Sequence, residues 1–224
     1  MSPVRTHVIV LPGGGYAQHV AHEGEPIAGW LNGLGLVRAS VFRYPLMVRH
    51  PEPLDALRAE IRRLRDGGAE RIGLVGFSAG GHLAGLAALA PGADPGDAVD
   101  FVVLGYPITS METETYRPAR LILLGDDATP ELRRATSLDA LVHRSSPPFF
   151  AWHTAEDADV PPEHTYRLAA SLAGHRVPHA AHVFAHGPHS LGLAQGNGDA
   201  AAWTTLAAPW ISEQSHARSA RRAA

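Results

Sequence analysis

Short apolar runs alternate along the chain with segments of helical period, and this alternation restricts the possible folds more than any single motif. The runs are bounded by glycine or proline and predict strands at 7–11, 37–44, 71–76, 99–106, 149–153 and 180–184. Amphipathic or small-residue segments between them predict helices at 23–34, 53–65, 79–89, 162–173 and 200–212. Near-continuous apolar strands separated by helices favour a parallel sheet covered on both faces. We therefore predict an α/β fold, a three-layer α/β/α sandwich with a mostly parallel sheet of about six strands.

The chain has the length of one domain. Its 224 residues can bury a full core, and we assign residues 1–213 to a single domain. The segment 107–148 is irregular and predicts short helices at about 117–124, 130–135 and 138–142, inserted over the carboxyl edge of the sheet. Residues 214–224 are rich in alanine, serine and arginine, which predicts a disordered tail.

Composition excludes several classes of partner. The net charge is −3 and the basic residues are dispersed, so no basic stripe suggests nucleic acid. No apolar stretch approaches the roughly 20 residues of a membrane helix, and the N-terminus lacks a signal-peptide core, so we expect a cytoplasmic location and no membrane partner. A chain without cysteine has no disulfides, thiolate metal sites or cysteine nucleophile.

Ser78 is the candidate nucleophile. It lies in Gly-Phe-Ser-Ala-Gly, where a predicted strand runs directly into a predicted helix. A serine on such a sharp turn has a strained backbone, and the small neighbours Gly76 and Gly80 allow the close approach that exposes its hydroxyl. A serine hydroxyl needs a base, and the base needs a carboxylate to orient it. The pattern therefore requires an acid and then a histidine downstream.

The loops after the last two predicted strands supply these partners. We choose Asp157 as the acid because it lies in the loop where the strand 149–153 ends; Asp159 and Glu156 are the alternatives. We choose His189 as the base because a Gly-Pro turn after the last strand directs it towards the sheet edge. His186 is the alternative base, and His182 lies within the strand.

A glycine-rich loop follows the first predicted strand. Its glycines let backbone amides approach a substrate, so we expect the amides of Gly14, Gly15 and Ala79 to bind an oxyanion. We expect Tyr16 and Gln18 to line the substrate pocket. No phosphate-binding glycine motif is present, and no His-Glu-x-x-His occurs. His179, His182, His186 and His189 lie close in sequence, but the intervals between them cross a predicted strand and turn, so we predict no metal and no cofactor. We interpret His82 as a residue packed in the core or behind the site rather than as a catalyst.

With these residues in place, the chain resembles the α/β-hydrolase superfamily, and within it the compact carbohydrate acetyl-esterase or feruloyl-esterase-like group related to xylan esterases. The resemblance spans nearly the whole chain and depends on the following segments: Leu-Pro-Gly-Gly-Gly-Tyr (11–16), His-Glu-Gly-Glu-Pro (22–26), Phe-Arg-Tyr-Pro (42–45), Gly-Phe-Ser-Ala-Gly-Gly-His-Leu-Ala (76–84), Trp-His-Thr-Ala-Glu-Asp (152–157) and Gly-Pro-His-Ser-Leu-Gly-Leu-Ala (187–194). It implies Ser78, Asp157 and His189 as a catalytic triad, with Gly14, Gly15 and Ala79 as the oxyanion hole.

The chain departs from the superfamily pattern in two respects. Pro12 stands where the related lipase and esterase pattern has histidine, and the first strand begins near residue 7, so we expect the two leading strands of the full fold to be missing or vestigial. Their loss would leave the predicted strand 37–44 at an open sheet edge. Open edges associate readily, so we expect loop cover or a homodimer there.

These inferences predict a serine esterase that acts on a small-molecule acyl ester through an acyl-enzyme on Ser78, with acetyl or feruloyl esters of carbohydrates as the expected substrates. The same triad also serves hydrolysis of a peptide, formamide or thioester bond, since fold alone does not select the bond. A catalytically inactive, hydrolase-like binding protein is the alternative outside enzymes, and failure of Ser78 to react with a fluorophosphonate would favour it.

Overall fold

The strands and helices follow the predicted order. A computed structural model describes residues 5–216. The strands are β1 (Thr6–Leu11), β2 (Arg38–Val41), β3 (Arg71–Phe77), β4 (Phe101–Gly105), β5 (Phe149–Thr154) and β6 (His179–Phe184). The α-helices are α1 (Glu25–Gly33), α2 (Glu52–Asp66), α3 (Ser78–Leu89), α4 (Arg117–Leu124), α5 (Pro130–Ala135), α6 (Leu138–Leu141), α7 (Glu163–Gly174) and α8 (Trp203–His216).

The six strands form one sheet in the order β2-β1-β3-β4-β5-β6. Every pairing is parallel, so the sheet is wholly rather than mostly parallel. From β1 the chain runs to β2 at the edge of the sheet. From β2 it crosses to β3, which lies on the other side of β1. Such a reversal opens a crevice at the carboxyl ends of the two central strands, which is where ligands bind in sheets of this type.

Helices cover both faces of the sheet, which confirms the three-layer sandwich. Alternate residues of β1 belong to different cores: Val8 and Val10 share a core with residues of α1 and α8, whereas Ile9 and Leu11 share one with residues of α2, α3 and α7. This alternation follows from the pleat of a strand, because successive side chains point to opposite faces. The predicted insertion after β4 contains the three short helices α4, α5 and α6.

Most element boundaries lie within one or two residues of the prediction, and the larger differences are at β2 and at the ends of the first and last helices. β2 ends at Val41 because the chain then turns so that the Tyr44 hydroxyl can donate to the Pro12 carbonyl oxygen (2.7 Å), and Pro45 has no amide hydrogen for a ladder. The first predicted helix begins at Glu25, and Glu23 lies in a preceding 3-10 turn. The last helix extends through His216, so residues 214–216 are helical rather than disordered. The rest of the predicted tail, 217–224, lies outside the described residues.

The edge strand β2 is covered locally by a side chain. The amide of Asn32, at the end of α1, donates to the Ala39 carbonyl oxygen (3.0 Å) and accepts from the Ala39 backbone N–H (2.9 Å). Asn32 therefore imitates a neighbouring strand at one residue of the edge. The strand is also only four residues long, and short edges offer little template for pairing.

Candidate active site

Ser78 stands on a sharp turn between β3 and α3, at the crevice beside β1. Its backbone is left-handed (φ 51°), a conformation that is unfavourable for a residue with a side chain. Two glycines make room for the turn. A β-carbon at Gly76 would overlap the Gly80 carbonyl oxygen, and one at Gly80 would overlap the carbonyl oxygens of Leu11 and Pro12. The close packing predicted for these glycines is present, and it holds Ser78 against the loop after β1.

Ser78, His189 and Asp157 form a continuous hydrogen-bonded series. The Ser78 hydroxyl lies 2.8 Å from Nε2 of His189, and Nδ1–H of His189 donates to Oδ2 of Asp157 (2.6 Å). Asp157 follows β5 and His189 follows β6, so parallel strands bring both loops to the same sheet edge as Ser78. With Nδ1 protonated, Nε2 is free to accept the serine proton. All three side chains are mostly or fully buried.

The Asp157 carboxylate is held by four donors. Oδ1 accepts from the backbone amides of Asp159 (3.0 Å) and Val160 (2.9 Å), while Oδ2 accepts from both His189 and Nε2 of His153 (3.1 Å). Burial opposes ionisation, but the hydrogen bonds from His153, His189 and Val160 outweigh it and hold the pKa of the Asp157 carboxyl well below its usual range. The carboxylate is therefore ionised at neutral pH.

His153 was missed by sequence reasoning. It is fully buried at the end of β5, where its Nε2–H also reaches the Val160 carbonyl oxygen (2.9 Å), and the Thr165 hydroxyl donates to its Nδ1 (2.9 Å). The available signal was its position four residues before Asp157 in a buried strand. A polar residue on such a strand needs a partner in the core.

The glycine loop after β1 has fixed peptide planes. In the plane between Pro12 and Gly13, the carbonyl oxygen accepts from Tyr44 and the amide donates to Oε2 of Glu23 (2.7 Å). The Gly13 carbonyl oxygen accepts from the Val20 amide (3.1 Å), and that of Gly14 from the amides of Ala17 and Gln18. Because peptide groups are planar, these bonds also set the directions of the Gly14 and Gly15 amides.

The amides predicted to bind an oxyanion are available. Within residues 5–216, no group accepts a hydrogen bond from the backbone amide of Gly14 or of Gly15. The Ala79 amide lies in the first turn of α3, where amides have no acceptor within the helix. The loop lies beside the serine, since a β-carbon at Gly13 would be 2.9 Å from Cβ of Ser78.

Glu23 is the second residue that sequence reasoning missed. Its carboxylate is fully buried and contacts both the glycine loop and the loop that carries His189. In the sequence it stands in the predicted first turn of a surface helix, where acidic residues are common for their effect on the helix dipole. The only signal was its place within the segment His-Glu-Gly-Glu-Pro, ten residues after Gly13.

The two residues predicted to line the substrate pocket, Tyr16 and Gln18, lie in different surroundings. The prediction for the Tyr16 side chain is wrong, because it is only 1% exposed and its hydroxyl lies 2.7 Å from Nδ1 of His82 in the core. Its backbone has a positive φ of 63°. Gln18 is exposed and packs against the α-carbon of Gly14, so it borders the loop. The insertion adds Tyr116, whose ring lies beside Gly15.

The remaining candidates lie elsewhere. His82 is buried in the core as predicted, and its Nε2–H donates to the Thr136 carbonyl oxygen (2.7 Å). The alternative base His186 pairs with the alternative acid Glu156 at the surface (2.9 Å). His182 packs against Phe150. The Asp159 side chain is exposed, and only its backbone reaches Asp157.

Residues 5–216 offer neither a cluster of metal ligands nor a membrane-spanning helix. No three acidic or histidine side chains come together there in a way that could hold a metal ion. None of the helices in that range has the length and apolar character needed to cross a membrane.

Comparison with known proteins gives a consistent group of relatives. Residues 55–217 match the model of the prolyl oligopeptidase family. An acetyl ester-xyloside bifunctional hydrolase from Caldicellulosiruptor lactoaceticus is 36% identical, with a TM-score of 0.89 over 95% of this chain and 84% of that one. A carboxylesterase from Lactobacillus plantarum is 30% identical, with a TM-score of 0.79 over 94% of this chain and 86% of that one.

A longer relative is also similar. Over 210 residues the chain is 31% identical to endo-1,4-beta-xylanase B of Butyrivibrio fibrisolvens, a match that covers 85% of this chain. The chain spans only 33% of that protein's length. The predicted resemblance to α/β-hydrolases and to carbohydrate esterases is confirmed by these matches.

Proposed function

The chain belongs to the prolyl oligopeptidase family of α/β-hydrolases, and we propose that it is a serine esterase that hydrolyses short-chain acyl esters, chiefly acetyl or feruloyl esters of carbohydrates. The observation that carries the proposal is the hydrogen-bonded series Ser78, His189 and Asp157 at the crevice between β1 and β3. Its esterase relatives favour an ester over other acyl bonds.

In the proposed reaction, the Ser78 oxygen attacks the ester carbonyl carbon while Nε2 of His189 takes the hydroxyl proton. The negative charge passes to the carbonyl oxygen, which accepts hydrogen bonds from the amides of Gly14, Gly15 and Ala79. The ester bond to the alcohol then breaks, and His189 returns its proton to the departing alkoxide. Asp157 orients the imidazole and stabilises its positive charge.

Water completes the cycle. His189 takes a proton from water as the hydroxide attacks the acyl carbon on Ser78, and the second tetrahedral intermediate uses the same amides. Collapse releases the carboxylic acid and returns the proton to the Ser78 oxygen. No redox change occurs in either half.

The surroundings of the site favour a sugar as the alcohol part of the substrate. Tyr116 is 41% exposed beside Gly15, and an exposed tyrosine ring offers a flat apolar surface with a polar edge, which suits a sugar ring. Gln18 adds an exposed amide on the other side of the loop. We infer that the alcohol part of the substrate lies over these residues.

The nucleophile is tested by Ser78→Ala, which removes the hydroxyl from a site that otherwise keeps its amides. We expect turnover of p-nitrophenyl acetate to fall by roughly 10⁴-fold or more, with the residual rate due to the remaining groups. Ser145→Ala is the matched control, because Ser145 is exposed in the turn before β5, at the opposite end of the sheet. Wild-type activity in the Ser78→Ala protein would refute the proposal.

The family match also favours a second candidate, hydrolysis of a peptide bond, since the matching model is that of a peptidase family. A substrate panel separates the two. We expect acetate release from acetylated xylo-oligosaccharides or ferulate release from methyl ferulate to exceed cleavage of a prolyl p-nitroanilide. The reverse order would favour the peptidase.

A further inference from the structure

A buried carboxylate that the proposed reaction does not use lies between two loops of the site. Oε2 of Glu23 accepts from the Gly13 amide (2.7 Å), and Oε1 accepts from the hydroxyls of Tyr106 (2.8 Å) and Ser190 (2.7 Å). The side chain has no exposed surface. Its three donors come from segments far apart in sequence, and each borders the site: the glycine loop, the end of β4 and the residue after His189.

Tyr106 links Glu23 to the loop and ring of His189, the proposed base. Burial and the nearby Glu23 carboxylate raise the pKa of the Tyr106 phenol well above its usual value, so the hydroxyl stays protonated and donates to Glu23. The same oxygen accepts from the Gly192 amide (2.8 Å), three residues beyond His189. The Tyr106 ring also contacts the His189 ring edge-on, with centroids 4.9 Å apart.

The segment that follows His189 is therefore tied to Glu23 at two residues, at Ser190 directly and at Gly192 through Tyr106. Ser190 has a positive φ of 64°, a strained conformation that requires support from its surroundings. Its hydroxyl donates to Glu23, and its carbonyl oxygen accepts from Nε2 of His22 (2.8 Å). His22 and Glu23, neighbours in one 3-10 turn, thus hold the carbonyl oxygen and the hydroxyl of Ser190.

We propose that Glu23 is a positioning residue that fixes the Gly13–Gly15 loop and the His189 loop relative to each other. The oxyanion-binding amides and the imidazole of His189 can then act on the same Ser78 adduct. This inference rests on the proposed function. Glu23 touches no reacting atom. It acts through the Gly13 peptide plane on one side and through Ser190 and Tyr106 on the other.

The test is Glu23→Gln, which keeps the shape but replaces one accepting oxygen by a donating NH₂. Glutamine cannot accept from all three donors, so either Gly13 or the hydroxyl pair loses its acceptor. We expect kcat for p-nitrophenyl acetate to fall about 10- to 100-fold, with KM changed less than about threefold. Glu25→Gln is the matched control, because Glu25 is exposed two residues along the same segment.

A second readout separates positioning from a structural role. Phenylboronic acid forms a tetrahedral adduct with a serine oxygen, and the adduct needs both the amides and the base loop. We expect its Ki to rise in Glu23→Gln by about the same factor as kcat falls. Rates are expressed per active site titrated with a fluorophosphonate, so that misfolded protein does not count.

Ser190→Ala provides a variant that leaves Glu23 and its bond to Gly13 in place. We expect a smaller loss, about two- to fivefold in kcat, and little additional loss when it is combined with Glu23→Gln, because the two residues share one network. Full multiplication of the two effects would show independent roles and overturn the proposal.

The outcomes distinguish this inference from the proposed function. Ser78-dependent turnover in the wild type, together with unchanged kcat and Ki in Glu23→Gln, would leave the esterase proposal intact and refute the role of Glu23. A lowered melting temperature with normal kcat per titrated site would make Glu23 purely structural and also refute it. A wild-type protein without Ser78-dependent turnover would overturn both.

Discussion

The carboxylate of Asp157 lies in a loop but is fixed as firmly as a core side chain. Two backbone amides hold Oδ1, and two histidines share Oδ2, so the carboxylate has no freedom to rotate. Its lowered pKa is a consequence of these donors. A carboxylate that stays ionised and fixed is what a histidine base requires on its far side.

Asp157→Asn tests this assignment against the alternative acid. The asparagine amide resembles the carboxylate in shape but can no longer serve as an acceptor at both positions, so His189 loses the tautomer that leaves Nε2 free. We expect kcat to fall by roughly 10³- to 10⁴-fold. Asp159→Asn should keep a kcat close to that of the wild type, because the Asp159 side chain is exposed. Steady-state kinetics with p-nitrophenyl acetate measure both, and a greater loss in Asp159→Asn would reverse the assignment.

At the scale of elements, the site depends on how closely β1, β3 and α3 pack. The start of α3 touches the carbonyl oxygens at the end of β1, and only glycine at position 80 allows this approach. The contact brings the loop after β1 to the side of Ser78. The position of that loop therefore depends on a helix–strand contact as well as on its own glycines.

Gly80→Ala should push the start of α3 away from the end of β1. The added methyl group meets backbone atoms of Leu11 and Pro12, which cannot rotate away, so we expect a loss of about 1–3 kcal/mol in the free energy of unfolding together with reduced kcat. Gly29→Ala is the control. Gly29 lies within α1 with open space around it, and alanine there should stabilise the fold by about 0.5–1 kcal/mol. Urea unfolding monitored by circular dichroism measures both, and equal effects would contradict the packing argument.

For the whole molecule, two histidines buried on the α3 side of the sheet couple stability to pH. His82 accepts from Tyr16 and donates to Thr136, while Nδ1 of His164 accepts from the Thr109 and Ser110 amides. Burial lowers the pKa of His82 and of His164 to about 4. Both rings are neutral in the folded protein and become protonated more readily once it unfolds.

The protein should therefore lose stability in acid. The contribution of these histidines is fully present above their ordinary pKa of 6.5 and is lost as the pH falls from there towards 4. We expect the free energy of unfolding to drop by about 1.4 kcal/mol per pH unit for each histidine in this window. Urea unfolding between pH 8 and pH 5 measures the slope.

Two variants test whether a buried histidine causes the pH dependence of the free energy of unfolding. His164→Gln removes one titrating group, so the slope below pH 6.5 should decrease, although the protein itself becomes less stable. His175→Gln, at an exposed position after α7, should leave the slope unchanged. An unaltered slope in His164→Gln would mean that other groups carry the acid sensitivity.

The sequence alone determined the layered fold and the order of its elements. Strand pleat and helical period are local properties, so apolar runs such as 71–76 were enough to predict buried strands and their flanking helices. Parallel strands end at one edge, and for this reason the loops that carry Ser78, Asp157 and His189 could be placed together before any contact was known. The predictions for Gly76 and Gly80 likewise followed from a turn that tolerates no larger neighbour.

Only the tertiary structure decided which polar residues are buried and what they hold. Glu23 bonds to Tyr106 and Ser190, which are 83 and 167 residues away in the sequence, and the periodicity around Glu23 indicates a surface helix. Tyr16 turns into the core to meet His82 instead of facing a substrate. Such contacts depend on strand order and register, which bring distant loops within hydrogen-bond distance, and no local pattern of residues records that geometry.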